Sequence, residues 1–128
     1  MPIETIRLSK SARDQLITLK RHTGIENWNI LCRWAFCISM AEATVPRADK
    51  IPADSPVEMT WSTFAGGNDE LYLALLKHRC IKDKVEITED NLNQHFRRHL
   101  HRGIAYLAGN PKLKSLAGLL ELITDNVQ

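Results

Sequence analysis

The sequence predicts a mainly helical domain that begins with a short strand. The first observation is an apolar run at residues 27–40, whose side chains cover a helix nearly all round. The second is an amphipathic helical pattern at residues 88–108, and the third is an alternating segment at residues 3–8 that favours a strand. A length of 128 residues with 44% hydrophobic content fits one folded domain over residues 1–128.

The N-terminal segment is predicted to continue from its strand into a first helix at about residues 11–22. Ser11, with Asp14 three residues later, resembles a capping box at the start of this helix. Gly24 follows its end, where glycine suits a left-handed backbone conformation. The apolar run at residues 27–40 then forms a second helix.

Strand, helix, glycine turn and helix is the order found in ribbon-helix-helix DNA-binding modules, in which two chains pair their strands. On that interpretation Ile6 and Leu8 face the core, while Thr5 and Arg7 face DNA. Glu4 would repel phosphates beside such a ribbon. The alternative interpretation is an oligomer-forming or edge strand without base reading. The sequence therefore predicts a ribbon-helix-helix-like N-terminal half and an oligomer.

The apolar helix at residues 27–40 is too short, at 14 residues, for a membrane span of roughly 20. It must be covered either by the rest of the chain or by a second copy. Arg33, if buried there, needs a carboxylate or carbonyl partner. Cys32 and Cys37 are expected to be buried structural thiols, whereas Cys80, beside Arg79, is the one suspected of reactivity.

The middle of the chain is predicted to be a loop at residues 43–56, followed by a strand at residues 57–63. Gly66-Gly67 ends that strand, and a plain turn is favoured there over a phosphate-binding loop. Asn68 or Asp69 can cap a helix that runs to about Arg79. The residues expected to face inward from this helix are Leu71, Leu75 and His78.

Thr88 is expected to cap a long helix that ends near Ala108. Its apolar face comprises Leu92, Phe96, Leu100, Gly103, Ile104 and Leu107. Glycine within a helix costs about 1 kcal/mol against alanine, so a close helix contact is expected at Gly103. Pro111 opens a last predicted helix, which packs either on its own chain or on another subunit.

The net charge is only +2 and the isoelectric point about 8.5, so total charge does not by itself predict DNA binding. Any DNA site must therefore come from local clusters of cations. The long helix is predicted to have a polar face opposite its apolar one, formed by His95, Arg98, His99 and Arg102 at i, i+3, i+4 and i+7. Clustered cations on a helix face suit contacts with the phosphate backbone. The predicted DNA-binding residues are Arg7, Lys10, Arg13, Lys20, Arg21, Arg97, Arg98 and Arg102. The alternative for the last three is a solvated face, or pairing with Glu86, Glu89 and Asp90 upstream.

No catalytic constellation, metal site or cofactor site is predicted. His95 and His99 have the i, i+4 spacing of a helical metal pair, but Phe96 occupies the place of a metalloprotease glutamate. The odd number of cysteines suits a reducing cytoplasm, and MPIETIRLSK lacks the apolar core of a signal peptide. A cytoplasmic protein without membrane contact is therefore expected.

Three stretches in this order resemble the DndE family: NWNILCRWAFCISMAEATVP, VEMTWSTFAGG and HFRRHLHRGIAYLAG. The family belongs to the bacterial and archaeal system that replaces a non-bridging phosphate oxygen of DNA with sulfur. The resemblance implies a non-catalytic protein that binds duplex DNA, including nicked duplex, and assembles as a homo-oligomer, a dimer or a tetramer. Its implied partners are a cysteine desulfurase, a sulfur-transfer enzyme and an ATPase subunit.

An enzymatic role remains the alternative function. It takes one of two forms: a metal-assisted DNA nickase that uses His95 and His99, or a sulfur carrier that uses Cys80.

Overall fold

The computed structural model describes residues 3–110 and confirms the mainly helical fold class. Its elements are β1 (Thr5–Arg7), α1 (Lys10–Thr23), α2 (Trp28–Ala41), β2 (Glu58–Thr60), α3 (Trp61–Ala65), α4 (Asp69–Lys82) and α5 (Glu89–Gly109). The helix predicted from Pro111 onward lies outside the described residues.

Helix α2 packs on α1, α3 and α5 of the same chain, so much of its apolar surface is covered without a second copy. Leu31, Ala35 and Phe36 are fully buried. Arg33 donates from Nη1 to the carbonyl oxygen of Phe64 at 2.9 Å, which is the carbonyl partner expected for it. No helix within residues 3–110 is both long and apolar enough to cross a membrane.

Helix α5 lies against α2 with the apolar face that the sequence predicts. All six residues of that face are buried: Leu92, Phe96, Leu100, Gly103, Ile104 and Leu107. The ring of Phe96 lies 5.2 Å from that of Phe36 and 4.9 Å from that of Phe64, centroid to centroid. This aromatic cluster joins α2, α3 and α5 and forms the centre of the core.

Strand β1 pairs antiparallel with β2 of its own chain, with Ile6 opposite Met59 and Arg7 opposite Glu58. Ile6 and Leu8 face the core as expected, but Ile3 is buried as well. The strand–helix–helix order is present, yet the ladder partner of β1 is not the strand of another copy. The expected intermolecular ribbon is therefore not confirmed.

The start of α1 differs from the prediction by two residues. The N-cap is Ser9, whose Oγ accepts a hydrogen bond from the backbone N–H of Ala12 at 3.1 Å. Ser11 is exposed within the first turn, so its assignment as the cap was wrong. Gly24 ends α1 at φ 74°, as its position predicts.

The segment after the loop at residues 43–56 is a shorter strand than predicted. Only Glu58–Thr60 is extended, and Thr60 then caps α3 through its side chain. The turn at Gly66 and Gly67 is confirmed, because both have positive φ values, 61° and 90°. Alternation alone could not separate the strand from the short helix that follows it.

The inward face of α4 was predicted wrongly. Leu71 and Leu75 are 56% and 39% exposed, and His78 is also exposed. The buried residues of this helix are Leu76, Arg79 and Cys80. The reason is that an arginine lies on the buried side, where backbone carbonyls satisfy it.

Candidate functional site

The basic face of α1, formed by Lys10, Arg13, Lys20 and Arg21, is the clearest cationic surface of the described residues. These residues lie on one side of the helix, away from the buried Leu16 and Leu19. Lys10, Lys20 and Arg21 are exposed, and the side chain of Arg13 is 38% exposed. The eleven helical steps from Lys10 to Arg21, at 1.5 Å each, give this face a length of about 16 Å.

The cations of this face are largely available to a ligand. Within residues 3–110, the side chains of Lys20 and Arg21 form no hydrogen bond or ion pair. Arg13 lies 3.7 Å from Asp14, an exposed and therefore weak pair. Lys20 and Arg21 lie in the last turn of α1, where positive charge interacts favourably with the C-terminal end of the helix dipole.

Arg7 is held inside the small sheet. Its Nη2 lies 2.5 Å from Glu58 Oε2 on the neighbouring strand, and its Nη1 donates to the carbonyl oxygen of Ser55 at 3.1 Å. The facing carboxylate neutralises the charge that a DNA phosphate would need. Arg7 is thus the least suited of the N-terminal cations to contact a phosphate.

The side chain of Arg97 is taken up by hydrogen bonds within the fold. Its guanidinium donates to the carbonyl oxygens of Ile51 at 2.8 Å, Arg7 at 3.0 Å and Pro52 at 3.2 Å. Burial lowers the pKa of Arg97. These bonds tie α5 to β1 and to the loop that precedes β2.

Arg98 is the freest cation of α5 among the three predicted there. Its one hydrogen bond in the described part of the chain is a long one, 3.5 Å, to Gln94 Oε1. It lines a cleft of about 350 Å³ together with Lys50, Ile51 and Arg97. The cations Lys50 and Arg98 therefore line this cleft, together with the carboxylate of Asp49.

Arg102 and Arg79 bind the C-terminal end of α2, which has no basic residue of its own in the last turn. Arg102 donates to the carbonyl oxygens of Ser39 and Thr44, both at 2.8 Å. Arg79, which is 2% exposed, donates to Met40 at 2.9 Å and Thr44 at 2.7 Å. Both arginines satisfy carbonyls that a helix end leaves without partners.

Arg79 also forms a buried ion pair with Asp83, four residues later on the chain. Its Nε lies 3.0 Å from Oδ1 and 2.9 Å from Oδ2. Burial acts to raise the pKa of Asp83, but hydrogen bonds from Arg79, His95 and His99 hold it below its ordinary value. The carboxylate is therefore ionised in the folded protein.

His95 and His99 are buried beside that carboxylate rather than exposed on a polar face of α5. Their Nε2 atoms lie 2.7 Å and 3.3 Å from Asp83 Oδ2 and 3.2 Å from each other. Their exposed fractions are only 2% and 0%. The prediction of an outward histidine face was wrong, because Asp83 and Ser39 provide polar partners inside the fold.

Sequence reasoning missed Asp83 and Ser39 as members of this cluster. Ser39 Oγ lies 2.8 Å from His99 Nδ1 and accepts a hydrogen bond from Arg102 Nε at 2.9 Å. The i, i+4 spacing of Arg79 and Asp83 was the one available signal. Nothing in the local pattern indicates that this pair meets the two histidines.

Cys32 is buried as predicted, whereas Cys37 and Cys80 differ from their predicted environments. Cys37 is exposed, so its assignment as a buried thiol was wrong, while Cys32 and Cys80 are buried. Burial raises the pKa of the Cys32 thiol to about 12 and also raises that of Cys80. Cys80 therefore lacks the accessible thiolate that a reactive cysteine needs.

Comparisons with known proteins place this fold and these residues in a family. The family model described as "DNA sulphur modification protein DndE" matches residues 5–115. The crystal structure of DndE from Escherichia coli B7A, involved in DNA phosphorothioation modification, is similar with a TM-score of 0.70 and 27% sequence identity. That match covers 84% of this chain and 98% of the other. No curated protein matches significantly. The chain therefore belongs to the DndE family of DNA sulphur modification proteins.

Proposed function

We propose that this chain is a non-catalytic, DNA-binding subunit of the DNA phosphorothioation machinery in the cytoplasm. It binds duplex DNA, including nicked duplex, and positions the sulfur-transfer complex on it. Its partners are the sulfur-transfer enzyme, the ATPase subunit and the cysteine desulfurase of that system. Membership of the DndE family supports the pathway, and the basic face of α1 supports the contact with DNA.

The basic face of α1 is the observation that carries DNA binding. Its four cations lie along about 16 Å of one helix, a length that reaches several phosphates of a duplex. Such contacts neutralise the backbone and release counterions, and they bind all sequences with similar affinity. Arg98 and the cleft beside it add a second cationic contact, whereas Arg7, Arg97 and Arg102 serve the fold.

A non-catalytic role is supported by the burial of the groups that could act on DNA. A nickase that used His95 and His99 would have to bring a phosphate to side chains that are at most 2% exposed. A sulfur carrier that used Cys80 would have to expose a fully buried thiol. Either reaction would need the core to open, which costs part of the stability of the fold.

The proposed homo-oligomer is supported by the outer apolar face of α4. Leu71, Leu75 and Ile81 lie there with exposed fractions of 56%, 39% and 66%. Exposed apolar side chains grouped on one helix mark an interaction surface. We expect Leu75→Glu to lower the oligomer mass measured by light scattering, while Lys77→Glu on the same helix leaves it unchanged.

The DNA-binding proposal is tested by salt titration of binding to an intact and a nicked duplex of one sequence. Replacing Lys20 and Arg21 together with alanine should lower affinity for both duplexes and reduce the salt slope by about 2. The control replaces Arg47 and Lys77, two exposed cations that lie outside α1 and α5, with alanine and should change neither quantity. Equal loss in both double variants, with both folded, would show that total charge rather than the α1 face governs binding.

A further inference from the structure

The geometry points to a closed binding site for one zinc(II) ion, or a similar divalent transition metal ion, formed by Asp83, His95 and His99. Three ligand atoms converge there: Asp83 Oδ2, His95 Nε2 and His99 Nε2. They lie 2.7, 3.2 and 3.3 Å apart. A tetrahedral ion with bonds of about 2.0–2.1 Å holds its ligand atoms about 3.3 Å apart. Two of the three separations already match, and the third needs to widen by about 0.6 Å.

The ligands come from elements that the rest of the fold holds in place. His95 and His99 are one turn apart on α5, the spacing by which one helix presents two imidazoles to one ion. Asp83 directly follows α4, so the ion would join the end of α4 to the middle of α5. All three side chains are at most 2% exposed.

The groups behind the ligands orient them for coordination. Ser39 Oγ is 2.8 Å from His99 Nδ1, so a proton on Nδ1 can be donated to Ser39 and Nε2 is left for the ion. Arg79 Nε holds both oxygens of the Asp83 carboxylate, Oδ1 at 3.0 Å and Oδ2, the ligand atom, at 2.9 Å. Hydrogen bonds of this kind behind first ligands raise metal affinity.

His95 lacks the supporting contact that His99 has. Its Nδ1, which is not one of the three ligand atoms, is the one buried side-chain nitrogen or oxygen within residues 3–110 that has no hydrogen-bond partner. Coordination through Nε2 places the ring proton on Nδ1, where no acceptor receives it, and this lowers the affinity of the site.

The donor set selects the class of ion. Two imidazole nitrogens and one carboxylate oxygen suit zinc, cobalt or nickel, whereas magnesium and calcium prefer oxygen ligands. The cation of Arg79 beside Asp83 weakens the site, although four carbonyl oxygens at the end of α2 surround that guanidinium. The described residues supply three ligand atoms, so a water molecule would complete the tetrahedron. Burial keeps DNA phosphates away from the ion, which would join α4 to α5.

The test is a cobalt(II) titration of the full chain after dialysis against a chelator, followed by competition with zinc. We expect the visible absorption of tetrahedral cobalt at one ion per chain, its loss on adding zinc, and a zinc-dependent rise in melting temperature. His22→Gln with His78→Gln, two exposed histidines, should bind as wild type does. His95→Gln should lose the spectrum. Ser39→Ala keeps all three ligands and should weaken binding by about tenfold.

X-ray absorption at the zinc edge of the wild-type protein keeps the test independent of how the variants fold. Two imidazoles in the zinc coordination shell, with bonds near 2.0–2.1 Å, would support the site. A wild-type chain that shows no cobalt spectrum, or a zinc shell without imidazole, would overturn it. Loss of binding in the variant that lacks the two surface histidines would also overturn it.

Discussion

The backbone of Ala35 on α2 touches the position that a side chain at Gly103 on α5 would occupy. A Cβ atom on Gly103 would lie 1.8 Å from the carbonyl oxygen of Ala35 and 2.4 Å from its carbonyl carbon. The obstacle is backbone inside a helix, so no side-chain rotation can relieve it. Glycine at this position is what lets the two central helices approach this closely.

Gly103→Ala is therefore expected to destabilise the protein by about 2 kcal/mol or more. Helix propensity alone would favour alanine by about 1 kcal/mol, but overpacking a core typically costs more than that. Gly109→Ala is the matched control, because a Cβ there meets nothing within 4 Å. Urea unfolding of both variants measures the difference. A Gly103→Ala protein as stable as wild type would show that α2 and α5 lie farther apart.

The cap of α1 gives a second pair of matched variants. Ser9→Ala removes the side-chain oxygen that accepts from the Ala12 N–H, so we expect a loss of about 1 kcal/mol. Ser11→Ala, two residues later and exposed, should change stability by less than about 0.5 kcal/mol. Thermal unfolding followed by circular dichroism compares the two. A larger loss of stability in Ser11→Ala than in Ser9→Ala would show that Ser11 is the cap.

Arg97 and Arg98 are adjacent, but replacing them is expected to change different properties. Replacement of Arg97 should lower stability, and replacement of Arg98 should weaken DNA binding. Arg97→Met leaves three backbone carbonyls without a donor and should cost about 1–3 kcal/mol of stability, with little change in DNA affinity per folded molecule. Arg98→Met should leave the melting temperature unchanged and lower the salt slope of DNA binding by about 1. Unchanged stability in Arg97→Met would contradict its assignment to the fold.

Because the ion pair of Arg79 and Asp83 is buried, removing one of its two charges is expected to lower the stability of the fold strongly. Arg79→Met leaves an uncompensated carboxylate and removes the donors to the end of α2, so we expect a loss of about 3–5 kcal/mol. Lys82→Met, an exposed change on the same helix, should stay within about 0.5 kcal/mol. Unfolding in the presence of a chelator keeps metal binding out of the comparison. Similar losses in the two variants would argue against the pair.

Thiol alkylation of the native protein should modify Cys37 alone. Cys32 and Cys80 are fully buried, and burial raises the pKa of each thiol. Partial burial also raises the pKa of Cys37, so its reaction should be slower than that of a free cysteine at the same pH. Peptide mass spectrometry after a brief treatment with iodoacetamide identifies the site. Labelling of Cys80 at a comparable rate would reopen its role as a sulfur carrier.

Local periodicity predicts the long helices and their apolar faces well, but it predicts their buried polar residues poorly. The apolar face of α5 and the close contact at Gly103 follow from side chains that repeat with the helical period. The buried side of α4 does not, because it contains Arg79, whose partners are carbonyls some 35 to 39 residues earlier in the chain. Periodicity therefore selects Leu71 and Leu75 as inward residues, and the structure exposes both.

The candidate DNA site shows the same limit. Charge placement identifies Lys20 and Arg21 correctly as exposed cations, but it cannot separate them from Arg97 and Arg102. The internal partners of these two arginines are backbone carbonyls of Ile51 and Thr44, in a loop whose position only the tertiary fold determines. For the same reason, alternation predicts β1 and part of β2 without indicating that they pair with each other.

That pairing has a consequence for synthesis on the ribosome. β1 is translated before its ladder partner β2: Glu58 follows Arg7 by 51 positions, and Arg97, which donates to the Arg7 carbonyl oxygen, follows it by 90. The nascent N-terminal third therefore cannot reach its native packing until nearly the whole described chain has been translated. Because β1 must wait for partners far along the chain, we expect slower folding than for a helical protein whose contacts are all local.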